Sequence, residues 1–598
     1  MSFSDKTVPG IFQNRVQTYQ YEPFLRYWDN GKLTSLSWNE ISRMVRGVGL
    51  GLVSLGVKSG DRVAIFADNS WEWAVCDLAC LSIGAIDVPI YPTNSGEEAA
   101  YIINDSTSKI AFASDRDHLD RLLALRDKIK GIKKIITFDD MDVDDRDILT
   151  LNGVMALGEK GKKPSMFDER LEAIDPQSDA SYIYTSGTTG SPKGVRLSHA
   201  NFVANVFQLA ATHALDHRDE ALHILPWSHS FGRTVGLYLM MNAGATISLA
   251  PGFSTVPDNL KEIRPTVMVS VPRLFEKLYA GILSQVEQSS QMKKKIFFWS
   301  KDIGDRAVDY IINQKEMPIT LRLQYGLADW LVFSKLRQAL GFDRVKVFVN
   351  GGGPLSVEID RYFNSIGTSL HNGYGLSETT PVTHTNTFET HVFGSVGPAI
   401  PDTQAQIAED GEILIKGPQV MKGYHNNPDA TKDVFTDDGW FMTGDIGFID
   451  DRGCLHITDR KKDIIITAGG KNVAPQNIEN TLVADLFVEQ AVVIGEGRKY
   501  LSALIVPNFA ELTSYAKEQG IAFDCNEDLV RKPQIVSFYD DKIKSLMKGY
   551  ARVEQIRRFT LLPGEFTIDS GELTPTLKMK RKVVSKNYQA EIDSMYAE

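Results

Sequence analysis

The sequence predicts an α/β protein: a large N-terminal domain of αβ-layered sheets with a β-rich subdomain, followed by a small α+β C-terminal domain. Three observations carry this. Short apolar strand-like runs alternate with helix-period segments from the start, the texture turns to short antiparallel strands from Thr403, and a compact helix-and-strand unit follows Arg460 to Asp463. At 598 residues the chain exceeds one core, since domains run to roughly 100–200 residues. With 43% hydrophobic and 24% charged residues it reads as soluble and globular.

The elements follow in order. WNEISRMVRGVGLGLVSLGV places Ile41, Met44, Val45, Val48 and Leu52 at helical spacing. DRVAIF reads as a short buried strand, WEWAVCDLACLSIGA as a second helix, and EEAAYIINDS with KIAFAS repeats the order. Strands separated by helices of this length predict parallel sheets with crossover helices. VKVFVNGGGPLSVEIDRYF is a strand, a glycine turn and a helix, and HNGYGLSETTP repeats that logic; such turns at the carboxyl ends of parallel strands are where ligands sit. AQIAEDGEILIKG and CLHITDR look like antiparallel strands. PQNIENTLVADL is a helix, and EQAVVIG with YLSALIVP a strand pair turned by EGRK. The boundary is placed at 460/461, giving domains 1–460 and 461–598.

A net charge of −11 argues against a nucleic-acid partner, which needs a basic footprint. It leaves room for an anionic small ligand, because a few lysines can dominate one pocket. Four cysteines, Cys76, Cys80, Cys454 and Cys525, lack zinc-ligand spacing and suit a reducing compartment. MSFSDKTVPG shows no basic-then-apolar signal pattern, and GLYLMMNAGATISLA is too short and broken to span a bilayer. A cytoplasmic protein is expected, at most peripheral at the inner membrane surface. Residues 286–318 read as a helical insertion whose KKKIFFW sets basic beside aromatic residues; an interfacial membrane contact and an ordinary half-packed helix are both open.

YTSGTTGSPKG (184–194) gathers five small hydroxyl residues and three glycines around one lysine. It is not a Walker A loop, yet glycines admit backbone N–H groups to a polyphosphate, hydroxyls add donors, and Lys193 adds charge. A flexible linker competes with that reading on composition alone.

Together, YTSGTTGSPKGV, NGGGPLS, GYGLSETTP, GWFMTGDIG and DRKKDIIITAGGKNVAP resemble in order and spacing the adenylate-forming enzymes, which include acyl-CoA synthetases. The resemblance implies a two-step ligase. A carboxylate attacks the α-phosphate of ATP, giving acyl-AMP and pyrophosphate, and coenzyme A then displaces AMP. It implies a mobile C-terminal domain that swings between the steps, with Lys462 at the hinge. By the same resemblance, Thr185, Ser186, Gly187, Thr188, Thr189, Gly190 and Lys193 form the phosphate loop, and Thr185 and Glu378 hold Mg²⁺. Tyr374 stacks on adenine in a slot with Gly351, Gly352, Gly353, Asn372, Gly373, Gly375 and Ser377, while Asp445 and Arg460 take the ribose. Lys578, in ELTPTLKMKRKVV, matches the lysine that neutralises the reacting carboxylate and phosphate, although Leu577 stands where many relatives have glycine. Gly469 matches a glycine beside the pantetheine tunnel.

LPWSHSFGRT is similar to the segment lining the acyl pocket, which implies His229 near the reacting carboxylate and Trp227, Phe231 and Arg233 by the acyl entrance. VSVPRLFEKLYAGI, the helical insertion and LADWLVFSKLRQALG look most like long-chain fatty acid CoA ligases, with NGGGPL where those commonly have SGGAPL. The expected partners are a medium- to long-chain fatty acid or other carboxylate, ATP and CoA, in a monomer or homodimer. A carrier-protein-loading acyl-AMP ligase, a ligase for a short or functionalised acid, and a non-catalytic acyl-binding relative remain alternatives.

Overall fold

Two eight-stranded sheets frame the N-terminal region of the computed structural model, which describes residues 5–141, 143–161, 164–185, 191–567, 570–574 and 579–597. The first sheet runs in the order Gly423–Tyr424, Lys193–Ser198, Asp179–Thr185, Ile86–Ile90, Arg62–Phe66, Ile110–Ala113, Lys134–Thr137 and Ile148–Thr150. Its pairings are parallel from Asp179–Thr185 onward, and antiparallel at the other edge, where Thr185 faces Lys193 in register. The second sheet runs Val382–Thr385, Leu370–Gly375, Val347–Asn350, Val267–Ser270, Glu220–His223, Thr246–Leu249, Pro23–Asp29 and Lys32–Ser37. It is parallel except for its two edge pairs.

The helices begin where side chains can satisfy their first N–H groups. Ser37 with Glu40 and Ser95 with Glu98 form capping boxes on Trp38–Ser54 and Gly96–Ser106. The segment 236–250, read as core, is buried along most of its length: a π-turn Thr234–Leu239, a helical turn Met240–Ala243 and the strand Thr246–Leu249. One apolar core joins both large sheets, with Trp38, Trp73, Trp227 and Phe202 fully buried in it.

The antiparallel texture after Thr403 is a four-stranded sheet, Gln404–Ile407, Glu412–Lys416, Phe441–Ile449 and Leu455–Arg460. Beyond Arg460 the strands Val488–Ile494, Leu501–Pro507 and Ile556–Leu561 form a three-stranded sheet with its own core, covered by helices such as Pro475–Val483 and Pro533–Leu546. The strand pair turned by EGRK is antiparallel, as expected. Residues 286–318 are helical: Pro272–Glu287 ends inside the segment and Gln291–Ile312 fills most of the rest. The cysteines are free thiols, three buried and Cys525 exposed.

Candidate active site

Tyr91 and Gly351, just past the carboxyl ends of Ile86–Ile90 and Val347–Asn350, line a cleft of about 870 Å³ between the sheets. Its other walls come from Thr185, Ser191, Pro192 and Lys193, the turn after Leu370–Gly375, and the stretch Arg460, Lys461, Lys462. Parallel strands leave their crossover loops at this end, so the topology itself gathers the motifs here.

One wall joins two distant sequence positions through an aromatic ring. The Lys193 ammonium lies 5.0 Å over the Tyr424 ring, and the Tyr424 hydroxyl donates to Glu378 Oε1 at 2.9 Å. Burial, with the Glu378 carboxylate beside it, pushes the Tyr424 phenol well above its ordinary range. The phenol therefore stays a proton donor. Among the described residues Glu378 Oε2 accepts no hydrogen bond, which leaves a carboxylate oxygen for a cation.

A second wall is a three-residue relay. The Tyr374 hydroxyl donates to Asp445 Oδ2 at 2.5 Å, and Arg460 Nε forms an ion pair with Asp445 Oδ1 at 2.9 Å. Asp445 and Arg460 are register partners on adjacent strands, which fixes this pairing. The Asp445 carboxylate holds the Arg460 guanidinium above its ordinary value. Arg460 and Tyr374 line the cleft, whereas Asp445 sits behind them.

The third wall carries His229 and Phe231. His229 Nδ1 accepts from the Phe231 N–H at 3.1 Å, which puts a neutral ring's proton on Nε2. Ser377 Oγ lies 3.2 Å from Ser230 Oγ. The Phe231 ring seats against Gly351, where a Cβ would come within 2.8 Å of it, so only glycine leaves this ring its place. Behind the ring lies a small apolar slot of about 20 Å³, lined by Leu209, His213, Val235, Leu239, Val269 and Val349 among others. That is room for roughly one water in this conformation. Burial pulls His213 down to about 4, so the ring is neutral near pH 7 and the slot uncharged.

The sequence-derived residues thus divide. Thr185, Lys193, His229, Phe231, Gly351, Gly352, Gly373, Tyr374, Gly375, Ser377, Glu378, Arg460 and Lys462 meet in one cleft. Asn372 does not line it: buried, it takes a bond from Asn350 and gives one to Asp360, bracing the strand beneath. Gly353 is exposed beside the turn, and Gly469 faces open space away from the cleft. Ser186, Gly187, Thr188, Thr189, Gly190 and Lys578 lie outside the described residues. Thr574 does line the cleft, just before that last gap.

Two placements are corrected. Arg233 is not at a pocket mouth but fully buried, with Nη2 at 2.5 Å from Asp77 and 2.7 Å from Asp87. Two interior carboxylates draw the guanidinium inward, and Tyr238 accepts from Nε and Ser181 from Nη1. Trp227 is likewise buried, stacked on His223 and packed near Trp73.

Sequence reasoning missed Tyr424, Tyr91, Phe441 and Lys461. Lys461 pairs with Asp410 and Glu412, tying the stretch after Arg460 to the β-rich subdomain. The one signal for Tyr424 was GYH amid polar residues, where a lone aromatic beside glycine has no periodicity to explain it. Among the described residues one carboxylate–imidazole group, Asp68, Asp115 and His118, has metal-type side chains together. The ring nitrogens of His118 already face Asp115 and the Pro92 carbonyl, at 2.9 and 3.1 Å.

A cleft of nucleotide size beside an apolar slot, at the carboxyl ends of parallel strands, is the kind of site an AMP-binding enzyme needs. Residues 12–425 match the AMP-binding enzyme family and residues 462–598 the AMP-binding enzyme C-terminal domain; the chain belongs to that family. It is similar to the long-chain-fatty-acid–CoA ligase FadD15 of Mycobacterium tuberculosis, 34% identical over 99% of this chain and 97% of the relative. The long-chain-fatty-acid–CoA ligase ACSBG2 of Xenopus laevis is 29% identical over 99% of this chain and 84% of its own. The adenylation domain of a carboxylate reductase from Mycobacterium chelonae shares the fold, with a TM-score of 0.78 at 21% identity, covering 99% of this chain and 91% of that one.

Proposed function

We propose that this protein activates a long-chain fatty acid to its CoA thioester in two steps within the one cleft. In the first, the acid's carboxylate attacks the α-phosphorus of ATP and pyrophosphate leaves. In the second, the CoA thiol sulfur attacks the acyl carbonyl and AMP leaves. One observation supports this reading most. Phe231 lines both the cleft and the apolar slot, so a carboxyl group at His229 would direct its tail past Phe231 toward that uncharged slot, which at about 20 Å³ must widen to take an alkyl chain.

The residues divide the work. Tyr374 offers an aromatic face to the base, and Arg460, held by Asp445, reaches the ribose side. Lys193 and the hairpin loop receive the phosphates. Glu378 and Thr185 would hold Mg²⁺, which adds positive charge to the polyphosphate when bound; one open carboxylate oxygen and a hydroxyl suit an ion that keeps few protein ligands. His229, protonated on Nε2, can donate to a carboxylate oxygen. The stretch around Lys462 would serve as hinge between domains 1–460 and 461–598, Gly469 would leave space for pantetheine, and Lys578 would neutralise charge in the first step.

A panel of acids from acetate to palmitate with Mg-ATP and CoA, read by AMP release and by product mass, tests the reading. Palmitoyl-CoA and AMP at rates above those of short acids are expected. Acyl-AMP that accumulates with CoA unconsumed would point to a carrier-protein acceptor, and faster turnover of short or aromatic acids to a different ligase. For Lys578, Lys578→Ala should abolish ATP–pyrophosphate exchange yet spare thioester formation from supplied acyl-AMP. Equal loss of both removes the assignment.

A further inference from the structure

The helix Ile319–Ala328, continued by the π-turn Asp329–Phe333, is apolar on two opposite faces. Leu321, Tyr325 and Ala328 turn inward onto the core. At 3.6 residues per turn, Ile319, Leu323, Leu327 and Trp330 form the opposite stripe, roughly 80° wide and about 16 Å long. These four are 67%, 69%, 49% and 67% exposed. A surface helix of a soluble protein ordinarily turns polar residues outward; one apolar on both faces needs a second apolar neighbour. The one acid in the segment, Asp329, is already matched by Arg337 at 2.9 Å.

The preceding helix, Gln291–Ile312, packs against this one and presents Met292, Phe298 and Trp299 to solvent. It opens with Lys293, Lys294 and Lys295 and has no acid in its first turn. Lys294 is matched by Glu287 at 2.7 Å, whereas the exposed Lys293 and Lys295 oppose the helix dipole, an arrangement that anions outside the protein would relieve. Across residues 291–340 nine Lys and Arg face five Asp and Glu, a net of +4 within a chain whose net is −11. Lys335 sits 5.7 Å over the Trp330 ring, so a cation rims the apolar stripe.

We propose that this helical hairpin is a docking surface for an anionic lipid bilayer. Ile319, Leu323, Leu327 and Trp330 enter the headgroup–acyl boundary, and Lys293, Lys295, Arg322 and Lys335 meet anionic headgroups. Charge selects the occupant. In a two-fold dimer built on this stripe the basic hairpin would face its own basic copy and be repelled, whereas a negative bilayer matches both the stripe and its rim. The assignment centres the contact on the helix after KKKIFFW, for which the sequence leaves a membrane contact and a half-packed helix both open: Phe297 is buried in the core, and the larger exposed apolar stripe lies one helix later.

Flotation of the full-length protein with vesicles tests this, using equal phosphatidylglycerol and phosphatidylcholine against phosphatidylcholine alone. The wild type should float with the anionic vesicles, less at about 0.5 M salt, where the Debye length falls to roughly 4 Å, and little with neutral ones. Leu323→Glu with Leu327→Glu and Trp330→Glu should reduce the partition about tenfold or more, and Lys293→Glu with Lys295→Glu should remove most of its salt dependence. All five positions are exposed, so turnover of a dispersed short acid should stay unchanged. Quenching by bromine-labelled lipid reports on the wild type without relying on the triple variant, and should fall on Trp330→Phe. No flotation of the wild type, equal flotation of the triple variant, or a dimer that the triple variant dissociates would each overturn the proposal.

Discussion

Arg233 and Arg460 both pair with aspartates held on neighbouring elements, yet they serve opposite ends. Arg233 has no exposed surface and contacts two carboxylates, a phenol and a serine, all interior. Arg460 has one aspartate, and its side chain is 49% exposed at the wall of the cleft. The first site joins helix Trp71–Ser82, strands Ile86–Ile90 and Asp179–Thr185, and the segment after Ser230 into one unit. The second keeps donor capacity on the solvent side, where a ligand can reach it. The same ion pair is a brace when its partners close it off and leaves a cation facing the cleft when they do not.

The sharpest way to break the comparison is Arg233→Met. It leaves two buried carboxylates without their cation, and a broken buried pair costs about 3–5 kcal/mol. Urea unfolding should show that loss, or the variant should fail to fold. A variant as stable as the wild type but altered in acid selectivity would restore Arg233 to the acyl entrance. Arg460→Ala should do the reverse. Its unfolding midpoint should stay near the wild-type value, while loss of a charge-assisted hydrogen bond worth about 1.5–3 kcal/mol weakens nucleotide binding roughly 10- to 150-fold. Calorimetric titration with AMP reads this directly.

Asp77 sharpens the contrast through pH. Burial raises its carboxyl to about 7; Arg233 opposes that shift, and the Asp87 carboxylate adds to it. Between the unfolded value near 3.8 and about 7, the native state binds more protons than the unfolded one, so this group's contribution falls as pH rises through that window. Asp77→Asn should therefore flatten the decline of stability from pH 4 to 7. An unchanged slope would show that the proton resides elsewhere in the cluster.

Most of this frame was legible because its signals are local. Helical spacing around Ile41 to Leu52, strand runs such as DRVAIF, and glycine turns after VFVN each declare themselves within twenty residues. The approach of YTSGTTGSPKG and GYGLSETTP to one cleft, seen at Thr185, Lys193 and Gly373 to Glu378, was legible too, since both cluster residues that ordinary elements avoid. What stayed hidden is contact between distant positions. Arg233 has the same letter whether it faces a pocket or Asp77, and nothing near LPWSHSFGRT names the carboxylates on another helix and strand. The outward stripe from Ile319 to Trp330 was hidden differently. A helix apolar on both faces reads from sequence as buried, and only its packing shows which face is left over.

Tyr424 tests the smallest link, between those two kinds of site. It is mostly buried like the partners of Arg233, but it holds Glu378 at the cleft and lies under Lys193. Tyr424→Phe keeps the ring, and so the face under the ammonium, and removes one hydroxyl donor. A single such hydrogen bond contributes about 0.5–1.5 kcal/mol, so the expected result is a two- to tenfold rise in KM for Mg-ATP with little change in stability. Titrating activity against Mg²⁺ at fixed ATP separates the causes. If Tyr424 positions Glu378 for a cation, the Mg²⁺ requirement should shift upward in the variant and the acid's KM should stay constant. A change in the acid's KM alone would place Tyr424 with the acyl side of the cleft and detach Glu378 from the metal.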